Sequence, residues 1–129
     1  MSEPALILAW ERLTAELMGD TRRFSASFRH NLGQYVNTAL LDGLCVVAEL
    51  PYRSPVDKQE GLQALDSLVG RLRILVRQCY TQQALGERRY TLHQSRINDI
   101  GKMIGGWSKY LGDRGDREER AGREERADK

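Results

Sequence analysis

The chain has 129 residues, of which 40% are apolar and 29% charged, and its formal net charge is +2. These values are ordinary for one soluble globular domain with a single core. No apolar run approaches the roughly 18 residues that a membrane-spanning helix needs. Residues 1–4 lack the basic start and the apolar stretch of a signal peptide. We therefore expect a cytoplasmic protein.

The first helix is predicted from about Pro4 to Met18, with Ser2 as its N-cap. The chain has only three prolines, and the long periodic runs between them favour an all-α fold. Gly19 and Asp20 are predicted to end this first helix. One of its faces is apolar at three- and four-residue steps: Leu6, Trp10, Leu13 and Leu17.

The second helix is predicted from about Phe28 to Leu50, with Ser27 as its N-cap. Its expected core side carries Leu32, Tyr35, Val36, Ala39, Gly43, Val46, Val47 and Leu50. A second apolar side carries Leu41, Leu44, Cys45 and Ala48. A helix that is apolar nearly all round is buried on more than one side, so we predict that this second side contacts another subunit or a partner.

The third helix is predicted from about Asp57 to Gln82, after a short loop that contains two prolines. Arg73 and Arg77 lie one turn apart on a flank of its apolar seam, so both guanidinium groups are expected to face one solvent groove. Such a pair is suited to bind bridging phosphates. The seam itself consists of Leu62, Leu65, Leu68, Val69, Leu72, Leu75, Val76 and Cys79.

The fourth helix is predicted from about Arg88 to Leu111. Gly101 and Gly105 lie four residues apart beside its apolar stripe, and glycine inside a helix costs about 1 kcal/mol relative to alanine. We therefore expect another backbone to approach the helix there. Lys102 and Lys109 fall on the opposite face. The apolar stripe consists of Ile97, Ile100, Ile104, Trp107 and Leu111.

Short connectors place consecutive helices antiparallel, so residues 1–112 are predicted to form an all-α, up-down-up-down four-helix bundle. Residues 113–129 repeat Arg-Glu-Glu-Arg and have no apolar face. We expect this segment to be a charged, disordered C-terminal tail, or a transient single helix held by side-chain ion pairs.

No catalytic or metal-binding pattern occurs in the sequence. Glu-x-x-His pairs, which hold di-iron centres inside bundles, are absent, as are Walker, zinc and nucleophile–base spacings. His30 and His93 are interpreted as structural or capping residues. Cys45 and Cys79 form no Cys-x-x-Cys pair, and we expect both to be buried, reduced thiols. We therefore predict a binding protein without a cofactor, and not an enzyme.

Basic residues are the remaining candidates for function. Residues 1–112 carry 14 basic and 11 acidic residues, a net charge of +3. So weak an excess supports nucleic-acid binding only if the basic side chains gather on one surface. A symmetric oligomer would repeat such a surface and strengthen its field. The candidates are Arg22, Arg23, Arg29, Arg73, Arg77, Lys102 and Lys109.

Four stretches carry a resemblance to a known family: 24–34 (FSASFRHNLGQ), 37–42 (NTALLD), 72–77 (LRILVR) and 97–107 (INDIGKMIGGW). Their order and spacing resemble those of the accessory variability determinant (Avd) family of diversity-generating retroelements, which are small four-helix bundles. The resemblance covers about 21–111. Where the family often has Phe-Pro-Lys, this chain has Phe24, Ser25 and Ala26, and the charged segment 113–129 lies outside the shared pattern.

The resemblance implies a homopentamer with a central pore and a basic outer surface. It also implies a protein that binds the retroelement's reverse transcriptase and template RNA and supports error-prone cDNA synthesis without being a polymerase. Arg73 and Arg77 match basic positions of the family's third helix, and Lys102 matches one in its fourth. We expect these three to contact RNA or the reverse transcriptase. The oligomer interface is expected at Leu41, Leu44, Cys45, Ala48, Gly101 and Gly105.

A related group of four-helix bundles is the alternative interpretation. These proteins are encoded in intervening sequences of bacterial large-subunit ribosomal RNA, and they would have an RNA-related or unknown binding role without a reverse transcriptase. A third interpretation, an enzyme or metal carrier built in a bundle, is disfavoured by the missing Glu-x-x-His pairs.

Overall fold

The computed structural model describes residues 3–127, which fold as an antiparallel four-helix bundle. Its four long helices are α1 (Glu3–Thr21), α3 (Leu32–Glu49), α4 (Pro55–Thr81) and α5 (Glu87–Ala127). A one-turn helix, α2 (Ala26–Arg29), precedes α3, and a 3₁₀ turn (Leu50–Tyr52) follows it. The predicted all-α bundle is confirmed. No helix in the described part of the chain is both long and apolar enough to cross a membrane.

The helices form a closed ring in which each long helix packs against two others. α1 packs against α3 and α5, and α4 packs against α3 and α5. Consequently α1 lies diagonal to α4, and α3 lies diagonal to α5. The predicted apolar stripes of the four helices meet at the centre of this ring, where Leu13, Val36, Leu72 and Ile100 are almost completely buried.

A close contact between α1 and α3 is built around Trp10. Its indole Nε1 donates a hydrogen bond to the carbonyl oxygen of Leu40 at 2.9 Å, and its ring lies against the bare backbone of Gly43. A Cβ atom on Gly43 would come within 1.9 Å of the Trp10 ring. Glycine at this position therefore lets a buried tryptophan fill the space between the two helices.

The connection between α1 and α3 differs from the prediction. Ser27 lies inside α2 and is not the N-cap of the second long helix. That helix begins at Leu32, and the Asn31 side chain caps it by accepting a hydrogen bond from the backbone N–H of Leu32. Phe24, which precedes the extra turn, is buried and packs beside Gly33, which follows it. The predicted cap Ser2 lies outside the described residues.

Two side chains of α3 point away from the core, contrary to expectation. Tyr35 is 68% exposed, because it lies about 100° around the helix from the inward-facing Val36. Cys45 is also exposed, whereas Cys79 is buried as predicted. Burial raises the pKa of the Cys79 thiol to about 11.

The sequence predicts that the last helix ends at Leu111 and that a disordered tail, or a single helix held by side-chain ion pairs, follows. The structure differs on the end of the helix and corresponds to the second alternative for residues 113–127. In the structure α5 continues as one helix to Ala127, about 22 Å beyond Gly112. Wherever the structure describes their side chains, residues 113–126 are exposed apart from Gly122. Arg114 Nε and Glu118 Oε1 lie 3.3 Å apart, and such pairs four residues apart stabilise a solvated helix.

Candidate nucleic-acid interface

The residues predicted to bind nucleic acid on α4 and α5 come together in one groove between these helices. The groove consists of two adjoining recesses that share Tyr90, Gln94 and Asn98. Arg73, Ile74 and Arg77 complete the first recess; Thr91, Ser95, Asp99 and Lys102 complete the second. We call these ten residues the α4/α5 groove. It contains the predicted pair Arg73 and Arg77 together with Lys102.

Arg73 is held in the groove by contacts that cross from α4 to α5. Its Nε donates a hydrogen bond to Asn98 Oδ1 at 3.2 Å, and Gln94 Nε2 donates one to the Arg73 carbonyl oxygen at 3.1 Å. Gly101 leaves room for the guanidinium group, since a Cβ atom there would lie 2.8 Å from Arg73 Nη2. The groove thus fixes the position of one cation.

One of the two glycines of α5, Gly101, is thus explained by a contact inside the chain. Gly101 was predicted to allow another backbone to approach, and the group that approaches is the Arg73 side chain of the neighbouring helix. Gly105, one turn further along, faces open space: a Cβ atom there would meet no neighbouring helix within 4 Å in the part of the chain that the structure describes. The space beside Gly101 is filled by Arg73, whereas the space beside Gly105 is open and could accommodate an interface.

The charge of the groove is predominantly positive. Arg73, Arg77 and Lys102 are exposed, and within residues 3–127 neither Arg77 nor Lys102 forms an ion pair. Asp99 is the acidic residue that lines it. Guanidinium and ammonium groups that line one groove favour an anionic ligand, and arginine binds phosphate and carboxylate groups through paired hydrogen bonds.

The other predicted basic residues lie elsewhere. Arg22, Arg23 and Arg29 are exposed in the connection between α1 and α3, at one end of the bundle. Lys109 is exposed on α5, two turns beyond Lys102 and outside the groove. The structure thus gathers three of the seven predicted residues into the α4/α5 groove and distributes the other four over two further places.

The residues predicted to form an oligomer interface are divided between two diagonal helices. On α3, Leu41, Cys45 and Ala48 are exposed and Leu44 is half-buried, whereas Gly101 and Gly105 lie on α5. An exposed residue of the neighbouring α1, Leu8, was missed by the sequence analysis and is 63% exposed. We call Leu8, Leu41, Leu44, Cys45 and Ala48 the α1/α3 surface. Leu8 lies outside the apolar stripe of α1, so the spacing used to predict that helix did not identify it.

A buried polar cluster joins α1 to α5 near the end of the bundle where α1 connects to α3. Asp20 accepts a hydrogen bond from Arg89 Nε at 2.8 Å, and its Oδ2 lies 2.6 Å from His93 Nε2. Burial raises the pKa of Asp20, but the hydrogen bonds from Arg89 and His93 outweigh burial and hold that pKa below its ordinary value. The hydrogen bond to Asp20 raises the pKa of Arg89.

The Asp20 cluster is structural. His93 is completely buried, and its imidazole links α5 to α1 through Asp20, in agreement with the structural role predicted for it. Asp20 was predicted to end the first helix, but α1 continues through it to Thr21. Sequence spacing could not reveal this buried carboxylate, because its partners lie about 70 residues away in the chain.

No metal-binding cluster accompanies the groove, since within residues 3–127 no three His, Cys, Asp or Glu side chains lie close enough to hold an ion. Neither the protein-family models, nor the curated proteins, nor the solved structures include a match to this chain. The α4/α5 groove, with its fixed and free cations, is therefore the feature of the molecule from which a function can be argued.

Proposed function

We propose that this protein is a non-catalytic accessory subunit of a diversity-generating retroelement. In this role it binds the template RNA and the reverse transcriptase through its basic surface and so supports mutagenic cDNA synthesis. The single observation that carries the proposal is the convergence of Arg73, Arg77 and Lys102 in the α4/α5 groove. The resemblance of the four sequence stretches supplies the identity of the partners.

The physical role proposed is that of a scaffold. Phosphates bound by Arg73, Arg77 and Lys102 release counterions, so RNA affinity is expected to fall steeply as salt rises. A subunit that holds RNA and enzyme at once raises their concentration near each other without adding any chemistry of its own. Self-association into a pentamer would present the groove five times and strengthen the attraction further.

Paired arginine variants test this function. We expect Arg73→Ala with Arg77→Ala to weaken binding of template RNA or of the reverse transcriptase about tenfold or more at roughly 0.15 M salt. Fluorescence anisotropy measures the first interaction, and co-purification of the two proteins measures the second. The matched control is Arg71→Ala with Arg117→Ala, which removes two exposed arginines from outside the groove.

The control decides between a specific groove and a general charge effect. The control variant is expected to keep affinity within about twofold, since surface charges far from the site are screened by salt. Equal losses in the two variants would show that net charge alone drives binding, and unchanged binding in the groove variant would remove the groove from the function. A reverse transcriptase gene with paired repeats beside the gene for this chain would favour the retroelement over the ribosomal alternative.

A further inference from the structure

A series of surface recesses continues from the α4/α5 groove around the end of the bundle. A third recess, at the turn between α4 and α5, is lined by Tyr80, Thr81, Gln83, Leu85 and Gly86. A fourth recess shares Leu85 and Gly86 with it and reaches Arg23 and Arg89. The two recesses of the groove share lining residues, and so do the third and fourth recesses. The contact between Tyr80 of the third recess and Tyr90 of the groove connects these two halves into one path from Lys102 to Arg23.

An aromatic pair joins the groove to the recesses at the turn. The rings of Tyr80 and Tyr90 stack with their centroids 4.4 Å apart and their planes within 14° of parallel. Tyr90 lines both recesses of the groove, and Tyr80 lines the third recess. Tyr80 is 38% exposed. A flat aromatic ligand, such as a nucleobase, can therefore extend this stack.

Two amide side chains line the same recesses as Tyr90. Asn98 uses its Oδ1 to accept from Arg73, and Gln94 uses its Nε2 to donate to the Arg73 backbone. The other polar atom of each amide, Asn98 Nδ2 and Gln94 Oε1, makes no hydrogen bond within residues 3–127. A free donor and a free acceptor in the same recesses as Tyr90 are suited to the edge of a base.

The shape of the path favours a flexible strand over a duplex. Arg89 and Lys102 are separated by about 20 Å along α5, and beyond Arg89 the path turns over the end of the bundle towards Arg23. Duplex DNA is stiff over about 150 base pairs and hides its base faces, so it could follow only part of such a curve. A single strand can bend around the end and offer its bases for stacking.

We propose that the path from Lys102 to Arg23 is a binding site for single-stranded nucleic acid. The phosphates are bound by Lys102, Arg73 and Arg77 in the groove and by Arg23 at the other end of the path. A base stacks on the outer face of the Tyr80–Tyr90 pair, which lies between these two groups of cations. The inference rests on the proposed function, because it uses the same groove. The inference goes further because it specifies a single-stranded ligand and gives Arg23, Tyr80 and Tyr90 a role in binding that ligand.

The test compares an eight-nucleotide single-stranded RNA with a hairpin of the same composition, using the full chain and fluorescence anisotropy. We expect the wild-type protein to prefer the single strand. Tyr80→Leu with Tyr90→Leu should weaken that interaction about tenfold without changing the slope of log Kd against log salt, since no phosphate contact is lost. Tyr80→Phe with Tyr90→Phe keeps both rings and should stay within about twofold of the wild type.

Two further variants guard against a general structural effect. Tyr35→Leu with Tyr52→Leu removes two exposed rings away from the path and should leave affinity unchanged. Arg23 is exposed, so Arg23→Ala does not threaten folding, and it should lower the salt slope by about 0.7 for the single strand, the value expected for one phosphate contact.

The outcomes separate this inference from the proposed function. Equal affinity for the hairpin, an unchanged affinity in the leucine variant, or an unchanged slope in Arg23→Ala would overturn the single-strand site. The proposed function would stand in those cases as long as Arg73→Ala with Arg77→Ala still weakens binding. If neither RNA binds the wild-type protein and the reverse transcriptase is not retained either, both proposals fail.

Discussion

At the scale of single residues, the position of Arg73 depends on the absence of a side chain at Gly101. The guanidinium group occupies the space that a Cβ atom would need, and Asn98 holds it there. The sequence indicated that Gly101 is costly inside a helix and must have a purpose. It could not indicate which group approaches, because Arg73 is 28 residues away and reaches Gly101 only through the packing of α4 on α5.

Gly101→Ala is expected to separate binding from stability. The atom it displaces is the free end of a flexible side chain, and alanine is the better helix former, so the free energy of unfolding should change by no more than about 1 kcal/mol in either direction. RNA affinity should fall because the guanidinium group loses its fixed position. Urea denaturation and fluorescence anisotropy measure the two effects.

Gly105→Ala is the matched control for this substitution. Gly105 lies four residues after Gly101 on the same helix, and replacing it by alanine raises the helix propensity by the same amount. Its new Cβ atom would face open space. We expect unchanged RNA affinity. If both alanine variants bind equally well, the position of Arg73 is unimportant to the groove.

Asp20→Asn is expected to destabilise the bundle in a pH-dependent manner. Because the folded pKa of Asp20 is lowered, its contribution is fully present above the ordinary aspartate pKa of about 3.9 and is lost as pH falls through the lowered value. The variant should lose about 2 kcal/mol of unfolding free energy at neutral pH, and the difference from the wild type should shrink below about pH 4. Urea denaturation over a pH series measures this.

An exposed aspartate provides the comparison for that pH series. Asp42 is exposed on α3, so Asp42→Asn should change stability little at any pH. A constant difference between Asp20→Asn and the wild type from neutral to acid pH would contradict the charge-based role of the Asp20 cluster and leave only a packing role.

At the scale of helices, the interiors were predictable and the ends were not. Apolar residues at three- and four-residue steps located the buried faces of α1, α4 and α5, because that period is a local property of the chain. Phe24 packs beside Gly33 around the extra turn α2, and Asp20, at the end of α1, pairs with His93 of α5. Both are tertiary contacts, which local spacing does not contain.

Removal of residues 113–129 is expected to leave the bundle intact. The side chains described in this segment are almost all exposed, and its ion pairs are worth only about 0.2–0.5 kcal/mol each. The truncated chain should unfold cooperatively with a free energy within about 1 kcal/mol of the full chain. Its circular dichroism at 222 nm should lose only the helical signal of the removed segment.

Salt provides the internal control for this truncation. The full chain should lose part of its helical signal in high salt, because exposed ion pairs are screened, whereas the truncated chain should not. A truncated chain that no longer unfolds cooperatively would show that the extension of α5 is part of the folding unit.

At the scale of the whole molecule, the bundle separates two surfaces of opposite character. The α4/α5 groove is basic, and the α1/α3 surface is apolar, with Leu8 63% and Leu41 45% exposed. Single exposed apolar side chains are common, but several of them at three- and four-residue steps along α3, with Leu8 on the neighbouring helix, make this side of the bundle the candidate for an interface. The all-α bundle and the closeness of Arg73 and Arg77 could be predicted from the sequence. The separation of the two surfaces could not, because it depends on which helices pack against each other.

Self-association through the α1/α3 surface is our prediction for the assembled state. Light scattering should give a mass about five times 14.7 kDa for the wild-type chain, and Leu8→Glu with Leu41→Glu should reduce it by placing charges in an apolar contact. Ile74→Glu, which changes an exposed apolar residue of the groove, should leave the mass unchanged. A monomeric wild-type mass at micromolar concentration would contradict the predicted oligomer.

The two thiols of the chain give it a built-in chemical reporter. Cys45 lies exposed on the surface that self-association would cover, while Cys79 is buried with a pKa of about 11 and stays protonated in the folded chain. If the predicted oligomer forms, alkylation at Cys45 is expected to report separation of its subunits, and alkylation at Cys79 is expected to report opening of the core. A single reagent can thus time two different events, dissociation and unfolding, in the unmodified protein.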